Sequence, residues 1–279
     1  MVGARGQLGQ ALVAQLGSQA VWAGGRQELD VRDGDSVARI LAAARPDVVI
    51  NASAWNAVDA AEAHFDEALA VNAAGPAHLA RAAREAGALL VHVSSDYVFD
   101  GQSTRAYVES DRPAPLSLYG VSKLAGEQAV AAAGGEHLIV RTSGVFGAGG
   151  SRAKGGSFVE RILARAREGQ PLRVVSDQVF SPTYAPDLAG ALLALVELGA
   201  RGLLHVANSG TCSWHGLAQA ALAQAGIQAQ VVAIGAAELK QSARRPLYSV
   251  LGSERTLGLG LQPLRDWHAA LDALLAPSP

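Results

Sequence analysis

Tyr119 and Lys123 stand four positions apart in Tyr119-Gly120-Val121-Ser122-Lys123, so a helix places both on one face. A free phenol, with a pKa of about 10, is a poor proton exchanger at neutral pH, and an adjacent ammonium favours its ionised form. Tyr119 paired with Lys123 can therefore protonate a carbonyl oxygen while hydride arrives at the carbon. Ser95 lies in Val93-Ser94-Ser95-Asp96-Tyr97-Val98-Phe99, at the end of an apolar run. Its hydroxyl can hydrogen-bond the same oxygen and polarise it. Singly these residues read as a core tyrosine, a surface lysine and a helix-capping serine. Following Gly3-x-x-Gly6-x-x-Gly9, in this order, they point to one hydride-transfer site.

The glycines supply the other half of that chemistry. At a first strand-to-helix turn, Gly3 and Gly6 let the backbone approach a pyrophosphate, which then sits at the positive end of the helix. The next strand ends at Gly24-Gly25-Arg26, where a carboxylate would repel a ribose 2′-phosphate and an arginine can pair with it. Arg26 therefore favours NADPH, with NADH left open; the bland alternative is a solvated loop charge. Asp30 and Val31 are expected beside the adenine, and Asn51, Ala52, Ser53 and Ala54 beside the pyrophosphate and ribose. Only Met1 and Val2 precede Gly3, so the first strand is expected to be truncated or its start misassigned.

Several elements must hold these groups. Leu8, Leu12 and Leu16 form a helical stripe, and Val21 to Ala23 reads as a short strand. Helices are expected over Asp35 to Ala44, Asp66 to Glu85 and Ser117 to Ala132. Between them lie the apolar strands Val48–Ile50, Leu89–Val93 and Leu138–Val140. Strands that are apolar throughout, alternating with amphipathic helices, predict an α/β fold: a doubly wound, Rossmann-like parallel sheet covered on both faces. Gly3, Asn51, Ser95 and Thr142 then fall at the carboxyl ends of strands, where such sheets bind ligands. Beyond a Gly- and Ser-rich loop holding Arg152 and Lys154, the pattern becomes less regular. We divide the chain into a dinucleotide-binding domain over 1–145 and a smaller substrate domain over 146–279, with 170–200 returning to the sheet.

Composition narrows the partners. Lys and Arg total 23 against 25 Asp and Glu without a basic block, which gives no reason to expect nucleic acid or an anionic membrane. Cys212 is the only cysteine, so no intrachain disulfide forms, and a reducing compartment is the default. No charged-then-apolar leader opens the chain, and the apolar stretch Leu188–Leu198 is too short for a bilayer and carries Glu197. A cytoplasmic protein is expected. No carboxylates cluster with ligand spacing, so no metal is expected.

Along nearly its whole length the chain resembles the dTDP-4-dehydrorhamnose reductase family of extended short-chain dehydrogenases. Its marks include Gly6-Gln7-Leu8-Gly9, Leu29-Asp30-Val31-Arg32-Asp33, Pro46-Asp47-Val48-Val49-Ile50-Asn51-Ala52, Ala57-Val58-Asp59-Ala60-Ala61-Glu62 and Val71-Asn72-Ala73-Ala74-Gly75-Pro76. The most specific are Ser95-Asp96-Tyr97-Val98-Phe99-Asp100-Gly101 and Leu118-Tyr119-Gly120-Val121-Ser122-Lys123, with Arg245-Pro246-x-x-Ser249 later in the chain. The resemblance implies that Ser95 (where the family usually has Thr), Tyr119 and Lys123 are catalytic. It adds Gln7, Leu8 and Asn72 to the cofactor site, with Lys123 also on the ribose. Asn56, Asp96, Tyr97, Val98, Gly144 and Arg245 would meet a dTDP-sugar, and Arg152 to Ser157 its diphosphate. A homodimer is left open. Asn56 replaces a usual Thr, Gly144 a usual Trp and Phe180 a usual Gly; losing the Trp removes an apolar wall, so the sugar or nucleotide can differ. Two other readings share these features: a sugar-nucleotide epimerase, and a non-catalytic dinucleotide-binding subunit like that of methionine adenosyltransferase.

Overall fold

The structure, a computed structural model, describes residues 1–149 and 156–276. Helix α1 (Gln7–Leu16) leaves the glycine turn, and α2 (Gly34–Ala44) starts where the Asp33 carboxylate accepts the Ser36 N–H at 3.0 Å. Strand β1 (Val48–Asn51) leads through α3 (Val58–Ala61) and α4 (Phe65–Leu69) into one π turn at Ala70–Ala74 and then α5 (Gly75–Glu85). Strand β2 (Leu89–Ser95), helix α6 (Leu118–Ala132) and strand β3 (His137–Thr142) follow.

The next residues alternate between two bodies. They run through β4 (Val145–Phe146), α7 (Phe158–Arg167), β5 (Leu172–Val175), β6 (Val179–Phe180) and β7 (Thr183–Tyr184), then α8 (Ala185–Glu197) and β8 (Gly202–His205). The last elements are β9 (Asn208–Ser209), β10 (Cys212–Ser213), α9 (Trp214–Gln224), β11 (Val231–Ile234), β12 (Leu264–Asp266) and α10 (Trp267–Leu275). The main sheet is parallel throughout, in the order β1-β2-β3-β8. Within 170–200, helix α8 rejoins this sheet, packing beside α1, and β8 follows just beyond. β5 instead pairs with β11 in a separate small sheet.

Alternation along each strand sends side chains to opposite faces, and both faces are buried. Ile50, Val91, Leu138 and Val140 pack with Leu8 and Leu12 of α1 and Leu188, Leu192 and Leu195 of α8. Val49, Leu90 and Ile139 pack instead with Val37 and Leu41 of α2 and Leu79 of α5. A third core belongs to the second half, where Val159, Ile162, Leu172, Leu217, Leu222, Trp267 and Leu271 meet.

Met1 and Val2 lie beside β1, between it and Gly24, where Val2 forms isolated bridges rather than a strand. Val2 bridges in parallel to both Gly24 and Asn51; its N–H donates to Ile50 O at 2.9 Å, and Gly24 N–H donates to Met1 O at 3.1 Å. Val21–Ala23, expected as a strand, forms no ladder; only Gly24 just beyond it bridges to Val2. A cavity of about 420 Å³ extends from Met1, lined by Trp22, Ile40, Val48, Ile50, Leu193 and Val196. Among the described residues no helix is long and apolar enough to cross a membrane.

Candidate active site

The glycine turn is tied on both sides. Gly3 and Ala4 N–H groups both donate to Gly24 O at 3.0 Å, and Gly6 N–H donates to Gly3 O at 3.1 Å. Gly3 has φ +81, and a Cβ there would stand 2.6 Å from Ser53 N; a Cβ on Gly9 would stand 2.1 Å from Gly3 O. Side chains are thus excluded from the space that a diphosphate needs in order to reach backbone amides. No side chain caps α1 at Gly6, which leaves its first N–H groups available to an anion. Leu8 contributes backbone alone, since its side chain is buried in the core.

Beside the turn lies a cleft of about 130 Å³ whose lining includes Gly3, Arg26, Asp30, Val31, Ser53 and Ala54. Six of the residues expected to bind cofactor therefore share one space, and the donor set fits a dinucleotide. Arg26 is 71% exposed in its side chain and stands 3.6 Å from Asp30, free to swing toward a phosphate. Arg32 holds Asp30: its guanidinium bonds bring that carboxyl down to about 2. Asn51 and Asn72 shape the cleft from behind. Asn51 Oδ1 accepts Ser53 N–H and Oγ–H at 3.1 and 2.6 Å. Asn72 Oδ1 accepts Trp55 N–H at 2.8 Å, and its Nδ2 donates to Trp55 O and Ser122 Oγ. Ala52 sits under Gly3, its carbonyl carbon 2.7 Å from where a Cβ would be.

At the same carboxyl edge of the sheet β2 delivers Ser95, while α6 delivers Tyr119 and Lys123. Ser117 Oγ caps α6 by accepting Gly120 N–H at 3.2 Å, which fixes the helix start at Leu118, one residue before Tyr119. All three side chains are buried. Ser95 lies against the Tyr119 hydroxyl and favours its ionised form, but burial dominates and pushes the phenol up to about 12. Lys123 does not supply the depression of that pKa expected from its spacing. Its ammonium turns to the β2 backbone and donates to Val93 O at 2.8 Å, and burial pulls it down to about 8. The resting site therefore holds a neutral phenol, the form needed to donate a proton.

The substrate side differs more from expectation. Tyr97 packs edge-on against Tyr119 with ring centroids 5.7 Å apart. Asp96 is buried and accepts from three serine hydroxyls. Val98, expected to line the pocket, is fully buried with Phe99 and Tyr107, because the single 3₁₀ turn at Asp96–Val98 points it inward. Arg245 forms a two-pronged pair with Asp59, at 3.1 and 2.7 Å, and also lies against Tyr97. Asn56 is exposed. Gly144 has φ +50, and a Cβ there would meet the Phe180 ring at 2.1 Å, while that ring lies 4.1 Å from Trp214. Phe180 thus packs directly over Gly144, its ring taking the space that a side chain at 144 would need, beside a narrow cleft of about 20 Å³. Arg152 and Lys154 lie outside the described residues.

Trp55, Asp59 and a buried Glu127–Arg141 pair carry weight that the sequence did not signal. Arg141 Nε and Nη2 donate to Glu127 at 2.9 and 2.6 Å, Ser94 Oγ adds a bond at 2.5 Å, and the guanidinium lies over the Phe99 ring. Each partner comes from a different element, so no local pattern announces the contact. No group of three or more His, Cys, Asp or Glu suited to a metal occurs among the described residues.

The chain matches the family described as RmlD substrate binding domain over residues 1–278. It is 44% identical to the dTDP-4-dehydrorhamnose reductase of Mycobacterium tuberculosis (strain ATCC 25618 / H37Rv), covering 100% of this chain and 92% of that one. It is 40% identical to the dTDP-4-dehydrorhamnose reductase of Streptomyces griseus, covering 97% and 90%. Among solved structures, dTDP-4-dehydrorhamnose reductase from Bacillus anthracis str. Ames in complex with NADP superposes with a TM-score of 0.93 at 33% identity, covering 98% and 96%.

Proposed function

The chain belongs to the dTDP-4-dehydrorhamnose reductase family, and on that premise we propose which of its residues carry out the reduction. It is an NADPH-dependent oxidoreductase acting on the C4 carbonyl of a dTDP-4-keto-6-deoxy sugar, as in dTDP-L-rhamnose synthesis. NADPH supplies the hydride. The carbonyl oxygen becomes an alkoxide as hydride arrives, and Tyr119 gives it a proton from its neutral phenol. Ser95 hydrogen-bonds the same oxygen, and Lys123, one turn below Tyr119 and bonded to Val93 O, holds the ribose.

Gly3, Gly6 and the amides of Gln7 and Leu8 receive the pyrophosphate, with Ala52 and Ser53 closing the cradle. Arg26 reaches the 2′-phosphate, Asp30 and Val31 flank the adenine, and Asn51 and Asn72 act by holding the loop that carries Ser53 and Trp55. Residues 1–145, joined by α8 and β8, form the cofactor half, and the rest of 146–279 the sugar half. Tyr97, Gly144 and Asn56 face the sugar, Asp96 stands behind them with its carboxyl bonded to three serines, and Arg245, anchored by Asp59, stands ready for the diphosphate. The observation that carries the assignment is Tyr119 held neutral and buried beside Ser95, with Lys123 below it. The test is NADPH consumption with dTDP-4-keto-6-deoxy-L-mannose against NADH and sugar-free controls, in parent and Tyr119→Phe. The variant should lose ~10²-fold or more in turnover while NADPH binding stays near parental. Turnover within a few-fold of the parent would remove Tyr119 from the mechanism.

A further inference from the structure

Asp96 is buried at the first turn after β2, and three hydroxyls from three separate segments converge on its carboxyl. Ser95 Oγ lies 3.0 Å from Oδ1; Ser143 Oγ and Ser249 Oγ lie 2.7 and 2.6 Å from Oδ2. Among the described residues no cation hydrogen-bonds it. Lys123 is turned to Val93 O, and Arg245 to Asp59 and Ala243 O. The titratable groups that face it are Tyr97, its neighbour in the chain, and Tyr119 from α6, both of which burial keeps protonated.

Ser95 has one proton to give. Its oxygen already accepts Tyr97 N–H at 3.2 Å. While Asp96 is ionised, the Ser95 hydroxyl is drawn to Oδ1, and a substrate oxygen would face only its lone pairs. With a proton on Oδ1 the direction reverses: Asp96 donates to Ser95, and the Ser95 O–H is released toward the reacting carbonyl. Resting on the reductase reading above, we propose that Asp96 is a positioning residue whose neutral carboxyl sets the direction of the Ser95 hydroxyl. Burial without a counter-ion raises its affinity for that proton, in keeping with this arrangement. The Oδ2 side needs no change, since it accepts from Ser143 and Ser249 in either state.

Asp96→Asn reproduces the neutral arrangement, with the amide oxygen taking the two serines and the amide nitrogen donating to Ser95. It should keep kcat within about threefold, well inside the ~10²-fold lost when a positioned acid is removed. It should also lose the fall in kcat that the parent shows as rising pH ionises Asp96. Asp96→Ala should lose about tenfold or more in kcat with little change in KM, because Ser95 is no longer aimed. In Ser95→Ala the same fall should vanish from the residual activity, a readout that holds even if Asp96→Ala does not fold. Infrared difference spectra of parent minus Asp96→Asn, taken without cofactor at neutral pH, should show a protonated carboxyl band. An ionised carboxylate band, an Asp96→Asn pH profile superimposable on the parent's, or Asp96→Asn as impaired as Asp96→Ala each overturns the proposal. An inert parent that still shows the protonated band counts instead against the reductase reading.

Discussion

Lys123 sits where its charge is costly, and replacing it separates stability from activity. Its side chain is 2% exposed, and burial lowers its pKa from 10.5 to about 8. That difference, 10.5 − 8, or about 2.5 units at ~1.4 kcal/mol each, amounts to a little over 3 kcal/mol of destabilisation. The sign follows from proton counts. Between the two values the unfolded chain binds more protons than the folded one, so stability rises with pH across that window. The penalty is present in full below about pH 8 and is gone above about pH 10.5. Lys123→Met keeps an unbranched stem but loses the bond to Val93 O, an offset of ~1 kcal/mol. The net gain at pH 7 is ~2 kcal/mol, or roughly 4–8 °C in Tm for a chain of this size. Turnover should fall ~10²-fold because the ribose loses the ammonium that holds it and the cofactor its position. Calorimetry and denaturant titration at pH 7 and again near pH 10 provide the assay. A variant less stable than the parent at pH 7, or a difference that is the same at both pH values, would refute the reasoning.

Arg26→Asp should shift preference from NADPH toward NADH by on the order of tenfold, since the change reverses charge beside the 2′-phosphate; equal NADPH dissociation constants in parent and variant would make Arg26 a solvated loop residue. Phe180→Ala empties the space against Gly144 and Trp214, so it should cost ~3–5 kcal/mol and raise KM for the sugar nucleotide more than it lowers kcat. Unchanged KM would show that the ring serves packing alone. An apolar extension ahead of Met1 of about the length of β1 should enter the adjoining cavity, raise the melting midpoint and enlarge its shift with NADPH. If it does neither, that cavity is no place for a strand.

Long periodic segments were legible from sequence because their burial pattern repeats. The helices at 34–44 and 118–132 and the strands at 48–51, 89–95 and 137–142 lie close to where apolar spacing puts them. The stretch read as one helix from Asp66 to Glu85 does run through, but with a π turn that swings Asn72 toward Trp55 and Ser122. Two-residue strands such as Val145–Phe146 and Val179–Phe180 carry no period to detect. Motif spacing brought the Ser95, Tyr119 and Lys123 positions into view, but not the direction of the Lys123 ammonium, which a backbone carbonyl on another element decides. Nor could Gly144 and Phe180, 36 positions apart, be read as a matched exchange until one ring was seen filling the other's place.

The Glu127–Arg141 pair constrains how this sequence can change over time. Both groups are almost fully shielded from water, and removing either one strands the other's charge beneath the catalytic helix, a loss of ~3–5 kcal/mol. Exchanging both at once for apolar side chains of matching volume can be neutral. A lineage leaving this arrangement must therefore cross an intermediate that has forfeited much of a typical folding margin. Substitutions at 127 and 141 should be found together or not at all, and Ser94, whose hydroxyl also bonds Glu127, should drift only after they have gone.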